Sequence, residues 1–373
     1  MAEVIVAGLG AEGSAAAAQL ARRGARVLGL EAFARGHTDG SSGGLTRVIR
    51  LAYYEHPDYV PLLRRAWELW RELERETGSD LLRQTGGVYA GPRDGELVAG
   101  SLRSAREHGL EHELLDPDRL RARLPLFRFA PDWWGLAEAT AGYLRPERCI
   151  AAHLALAERH GADLRFEERV TGWAADGGGV RVTTDRATYR ADRLVIAAGA
   201  WNARLLPRLA AHLTVKRVPL LWFEPLGEHE ALARLPVYIV DSGQGHGCYG
   251  FPYLADQGLK IATHGLGTPA DPDTLDRTVH PADEAPVRAF IREHLPIADG
   301  PLRQGKICLY TLTPDEHFVV DAEGPVVYAS ACSGHGFKFA SVMGEVLADL
   351  ALDGATRHPI AFLAAARLSG ALA

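Results

Sequence analysis

The chain has 373 residues, 47% hydrophobic, 24% charged and 8% aromatic, which excludes a disordered or collagen-like chain and suits roughly two domains. A formal net charge of -6 argues against a nucleic-acid partner, which calls for a basic stripe. No apolar run approaches the ~18 residues that cross a bilayer, and the four dispersed cysteines form no CxxC pair, so no membrane, metal or disulfide framework is expected and a cytoplasmic setting follows.

Glu3 to Ala7 reads as a strand with no basic leader region before it. Gly8-Leu9-Gly10-Ala11-Glu12-Gly13 turns the chain into an Ala-rich helix from Ser14 to about Arg23, which Gly24 stops. A second strand ends at Glu31, completing a βαβ unit. The Gly8, Gly10 and Gly13 spacing is the dinucleotide fingerprint: a tight turn, close approach to a pyrophosphate, and close helix–strand packing. The helix N-terminus offers unpaired N–H groups to phosphate. A carboxylate at Glu31 can accept from ribose hydroxyls and would repel a 2′-phosphate, so NADP is disfavoured; FAD and NAD are not separated by this motif.

A loop rich in Gly, Ser and Thr runs from Gly36 to Thr46. Arg47 and Arg50 follow, interleaved with apolar residues; spacing alone leaves them as surface cations or as site residues. Tyr59 to Thr77 is helical, with Val60, Leu63, Trp67, Trp70 and Leu73 at steps of three and four. A strand is expected at 85–90, then a mixed polar stretch to about Thr140. A helix over Pro146–His160, a strand over Asp163–Phe166, a hairpin at 176–179 and a buried strand from Arg193 into the turn at Gly199-Ala200-Trp201 complete the first half. From Leu213 to Leu312, short β-like runs alternate with Pro/Gly turns. His317 to Gly354 reads strand, turn, strand (Val326–Ala331), glycine loop and helix (Ser341–Leu352).

Only four of the 41 basic residues are lysines. Lys260 and His264 share one strand face by even spacing, either the wet face or a site. Cys308 lies between apolar residues, where a lone cysteine is usually core. Lys338 stands between two phenylalanines after the Ser333-Gly334-His335-Gly336 turn; it needs an anionic partner or snorkels outward.

Together the fingerprint, Gly40 to Tyr53, Gly199 to Asn202, Tyr249 to Pro252, Gly258 to His264, Cys308 to Phe318 and Ser333 to Phe339 resemble the monomeric sarcosine oxidase family almost end to end. That family includes N-methyltryptophan oxidase and pipecolate oxidase, within the glycine/D-amino-acid oxidase group. The resemblance implies an α/β fold: an FAD-binding Rossmann-like domain (1–78, 143–212, 313–373) and a β-sheet-rich substrate domain (79–142, 213–312). It implies FAD, covalently attached through Cys308, with Gly8, Gly10, Gly13, Glu31, Ser41, Thr46, Arg47, Trp201, Gly334, Gly336 and Lys338 as further cofactor contacts. Arg50 and Lys338 match the carboxylate clamp, Tyr310 a pocket wall, Tyr249 and His264 the amine side, Arg47 a position near the flavin ring, and Lys260 the lysine that activates oxygen.

The implied reaction is oxidative demethylation of sarcosine or a related N-methyl amino acid with O2, giving H2O2 and formaldehyde, by a monomer. Alternatives are a cyclic imino acid (pipecolate or proline) oxidase, a flavin dehydrogenase that does not use O2, and a non-catalytic flavoprotein. One departure stands out. Where sarcosine oxidases carry His-His-Gly-Asp-Thr-Arg, this chain reads Ser42-Gly43-Gly44-Leu45-Thr46-Arg47; the missing histidines make room at the site.

Overall fold

The computed structural model describes residues 2–241, 247–330 and 333–370. Its first sheet has six strands in the order Val319–Glu323, Val326–Ser330, Arg193–Ile196, Val4–Ala7, Val27–Leu30 and Asp163–Arg165. All neighbours are parallel except the first pair. Side-chain alternation gives this sheet two buried faces. Val4 and Val6 join the core beneath the helices Ala11–Arg22, Pro146–Arg159 and Ala340–Asp353, whereas Ile5 and Ala7 pack towards Val180 and Val182 of a three-stranded antiparallel sheet. In such a parallel sheet, ligands bind beyond the carboxyl ends of the strands.

The second, nine-stranded sheet is mostly antiparallel. Its strands Thr214–Phe223 and Leu259–His264 pair with Trp222 opposite Lys260. One face, with Leu221, Phe223, Leu259 and Ile261, packs in a common core with Val287, Phe290 and Ile291 of the helix Pro281–His294. The other face carries Leu220, Trp222 and Ala262 and packs with Cys308. Arg47–Arg50 forms part of a small three-stranded sheet with Ala141–Leu144 and Leu82–Gln84.

Several elements differ from the sequence reading. The first helix begins at Ala11 rather than Ser14, with Gly10 as its N-cap. The polar stretch before Thr140 contains a helix, Glu96–Glu107. Gly100 obscures its periodicity, yet a side chain there would meet Tyr54 O at 2.8 Å, so the glycine is what lets this helix touch the 50s loop. The β-like region 213–312 contains the helix Pro281–His294, masked by Pro281 at its start and Pro286 inside it. The strand read to Ala331 is observed over Val326–Ser330, and Ala331 and Cys332 lie outside the described residues. Cys149, Cys248 and Cys308 are free. Among the described residues no helix is long and apolar enough to cross a membrane, and no cluster of potential metal ligands occurs.

Candidate functional site

A cavity of about 430 Å³ opens where the two large sheets meet, and it draws walls from every segment singled out above. Its floor is the glycine turn. Gly8 has φ +91°, and a side chain there would meet Ala197 O at 2.6 Å. A side chain at Gly13 would meet Gly8 O at 1.8 Å, so helix and strand close on each other there. Gly13 therefore packs beneath the turn and is not a cavity residue, whereas Gly8 and Gly10 line it. A side chain at Gly10 would have Ser42 Oγ as its nearest neighbour, at 3.8 Å, which leaves a cradle for a ligand.

Glu31 directly follows the second strand, Val27–Leu30, and is buried at the same cavity. Its carboxylate accepts from Leu9 N at 2.8 Å and Phe33 N at 3.1 Å. Ser41 lines the cavity, and its Oγ is buried without a partner. Trp201, Gly334 and Gly336 line it as well, and the Trp201 indole donates to Asp273 at 2.7 Å. Cradle, acidic strand end and orphaned hydroxyl together fit a dinucleotide.

Arg47 and Arg50 leave one strand yet both line the cavity. The chain enters that strand through Leu45, at φ +65°. Glu147 holds the entry by accepting from Gly44 N at 2.7 Å and Leu45 N at 3.1 Å. Arg47 donates to Thr46 O at 2.9 Å and Ser41 O at 3.1 Å, to Gly43 O, and to Cys308 Sγ at 3.4 Å. Cys308 itself is buried just behind the wall, on the strand Leu302–Leu312 opposite Val218. Thr46 is also behind the wall, its Oγ1 without a partner.

Lys260 is 2% exposed and does not reach the cavity surface. Its Nζ donates to Gly44 O at 2.7 Å and Thr46 O at 2.8 Å, and lies 5.0 Å from the ring centroids of both Trp222 and Phe251. Burial, with Arg47 nearby, holds its pKa well below the usual lysine range. His264 and Lys260 come from the same strand, but His264 faces the cavity with Tyr249 and Tyr310. Burial lowers the His264 pKa to about 4, so its imidazole is neutral. Gly334 lies against the Tyr310 ring.

Arg50 and Lys338 lie in each other's field. Arg50 is 2% exposed, with its guanidinium 4.3 Å and 4.6 Å from the Tyr53 and Tyr54 ring centroids. Lys338 is buried and donates to His335 O at 2.6 Å. Burial and then the Arg50 charge lower its pKa to about 7, against the pull of Glu55. The sequence reading missed Glu55. It makes a two-oxygen contact with Arg50 Nη2 at 2.6 Å and 2.5 Å, and Arg50 holds its pKa down at about 2 against burial. Only its place five residues after Arg50, in a Tyr-Tyr-Glu run, could have hinted at it. Glu138, also missed, anchors the same segment by accepting from Leu51 N, Ala52 N and the Tyr89 hydroxyl.

The family model described as FAD dependent oxidoreductase matches residues 3–350. The monomeric sarcosine oxidase of Streptomyces avermitilis is 45% identical over 379 residues, covering 99% of this chain and 98% of that protein. The monomeric sarcosine oxidase of Bacillus sp. (strain B-0618) is 40% identical, covering 96% and 94%. The N-methyl-L-tryptophan oxidase of Salmonella enteritidis is 36% identical, covering 94% of each. Among solved structures, the open form of NikD, an unusual amino acid oxidase essential for nikkomycin biosynthesis, superposes with a TM-score of 0.85 at 27% identity, covering 97% of each chain.

Proposed function

Because this chain belongs to the FAD dependent oxidoreductase family, we propose that it is a flavin-dependent amine oxidase that demethylates sarcosine or a related N-methyl amino acid. The observation that carries this reading is the pair of buried cations, Arg50 and Lys338, at one end of a dinucleotide-fitted cavity. A buried cationic pair is suited to a carboxylate, and a guanidinium offers it a bidentate fork.

FAD supplies the acceptor for a hydride equivalent. The residues of the chain supply position and field. Arg50 and Lys338 hold the substrate carboxylate, and Tyr249, His264 and Tyr310 wall the amine. Fixing the N-methyl C–H in place is a positioning contribution. The nearby cations disfavour a second positive charge, so the amine binds as the free base. His264, already neutral, adds no charge beside it. Loss of a hydride leaves an iminium ion; water adds to it and releases formaldehyde, the primary amino acid and a proton. Two electrons and two protons then reach O2 as H2O2, with the Lys260 ammonium stabilising negative charge as it develops on oxygen. Cys308 is the residue whose sulfur would hold the flavin through a thioether; the Arg47 guanidinium, which touches both the thiol and the cavity, supports that reading. The enzyme acts as a cytoplasmic monomer; the free thiols of Cys149, Cys248 and Cys308 suit a reducing compartment.

The deciding experiment is anaerobic addition of sarcosine. The yellow flavin band bleaches, and air restores it with one formaldehyde and one H2O2 per amine. Bleaching by pipecolate or proline but not by N-methyl amino acids overturns the demethylase assignment, and recovery without oxygen uptake overturns the oxidase. Acid precipitation tests the tether: colour stays in the wild-type pellet and moves to the supernatant in Cys308→Ser. Colour in the wild-type supernatant removes the covalent link.

Glu55 holds Arg50 Nη2 with both oxygens, so a substrate carboxylate competes with it for Arg50. Glu55→Gln should therefore tighten binding of a small unreactive acid such as methylthioacetate several-fold, while lowering thermal stability because Arg50 loses its buried partner. Lys338 adds a pH dependence. It is charged below about pH 7 and neutral above. Affinity for the same acid is therefore full below that value and weakens as pH rises through it, because the clamp loses one charge. Lys338→Met removes this step; an unaltered profile in the variant assigns the titration to another group.

A further inference from the structure

Glu12 sits inside the glycine fingerprint, at the second position of the helix Ala11–Arg22, and lines the cavity beside Gly8 and Gly10. It is 8% exposed, and among the described residues burial alone, with no hydrogen bond or charge beside it, acts on its carboxyl group. The elements packed against this helix do not supply a cation. Glu147 of the helix Pro146–Arg159 binds Gly44 N and Leu45 N, Arg148 faces Asp80, His153 is kept neutral by burial, and Glu158 pairs with Arg35. On Ala340–Asp353, Glu345 pairs with Arg65, and Asp349 and Asp353 pair with Arg23. Arg193, at the start of its strand, donates to Asp192 O, and Glu31 accepts from Leu9 N and Phe33 N.

A carboxylate buried without a partner is driven to keep its proton. The same turn and helix N-terminus form the cradle for the FAD diphosphate. An ionised Glu12 would repel that dianion, whereas the neutral acid offers it an O–H donor. We propose that Glu12 holds its proton and donates a hydrogen bond to the diphosphate of FAD, so that cofactor contact at this turn is switched by pH. The inference rests on the FAD reading of the cavity. Burial alone raises the Glu12 pKa to about 8 before any phosphate is present, and an adjacent dianion raises it further. The hydrogen bond is therefore intact at neutral pH and is lost as the solution becomes alkaline.

The test is ³¹P NMR of the holoenzyme across alkaline pH. A phosphate diester has no ionisation of its own there. The wild-type diphosphate resonances should shift through one titration with its midpoint at or above pH 8, and in Glu12→Gln they should stay flat. Glu12→Met, uncharged and of similar length, should also be flat, which keeps the test available if the glutamine variant fails to fold. Flat wild-type resonances, or the same midpoint in wild type and variants, overturn the proposal. Absence of any diphosphate signal from yellow protein is a different failure, since it removes FAD itself and with it the premise.

Discussion

Lys260→Met should slow the oxygen half-reaction roughly 10²–10³-fold while leaving reduction of the flavin by amine nearly unchanged. The substitution preserves an unbranched, apolar stem, so packing against Trp222 and Phe251 survives. What disappears, at pH below the depressed lysine pKa, is a positive charge fixed by two backbone carbonyls, Gly44 O and Thr46 O, at a residue only 2% exposed. A charge so placed needs no reorganisation when negative charge develops on oxygen. The carbonyls left unpaired lower stability by about 1–3 kcal/mol each. Because burial holds the lysine pKa well below its ordinary value, the wild-type oxygen step should also slow as pH rises through that depressed pKa, where the ammonium becomes neutral. Stopped-flow measurement of both half-reactions decides the matter: equal slowing of the two removes Lys260 from the oxygen step.

Arg50→Ala should weaken carboxylate substrates and inhibitors by about 3 kcal/mol, roughly a hundredfold, with little effect on an analogue that lacks the carboxylate. It should also destabilise the fold, because Glu55 is left without its partner at a site where it is only 14% exposed. The double variant Arg50→Ala/Glu55→Gln separates the two effects. Stability returns in large part, since no unpaired charge remains, and carboxylate affinity does not. Arg50→Lys should not rescue affinity, because an ammonium lacks the second guanidinium nitrogen, which here holds Ala52 O while Nη2 meets both Glu55 oxygens. Unchanged binding of methylthioacetate in Arg50→Ala would falsify the clamp.

Much of this protein is legible in its sequence. The βαβ start follows from the spacing of Gly8, Gly10 and Gly13 and from Glu31, because dense contacts leave no choice at Gly8 and Gly13: a side chain at either would strike backbone. The shared strand of Lys260 and His264 follows from its period of two. Spacing could not say where Arg47 and Arg50 point. Three residues apart on a regular strand, they would face opposite sides, yet both reach the cavity after the turn through Gly44 and Leu45. The helices Glu96–Glu107 and Pro281–His294 were hidden for a related reason: Gly100 and Pro286 obscure the local pattern, and packing against distant segments stabilises both helices.

The sequence by itself determined the nucleotide-binding start, the α/β class and the residue types from which a carboxylate-binding, oxygen-reactive site can be built. These are written in local spacing and in side chains whose chemistry does not depend on context. Tertiary structure decided which charges are neutralised and which are left exposed to the cavity. It pairs Arg50 with Glu55, seats Lys260 on two loop carbonyls, and leaves Glu12 buried without a partner. Charge state depends on burial and on neighbours brought from elsewhere in the chain, and neither is a property of a residue's place in the sequence.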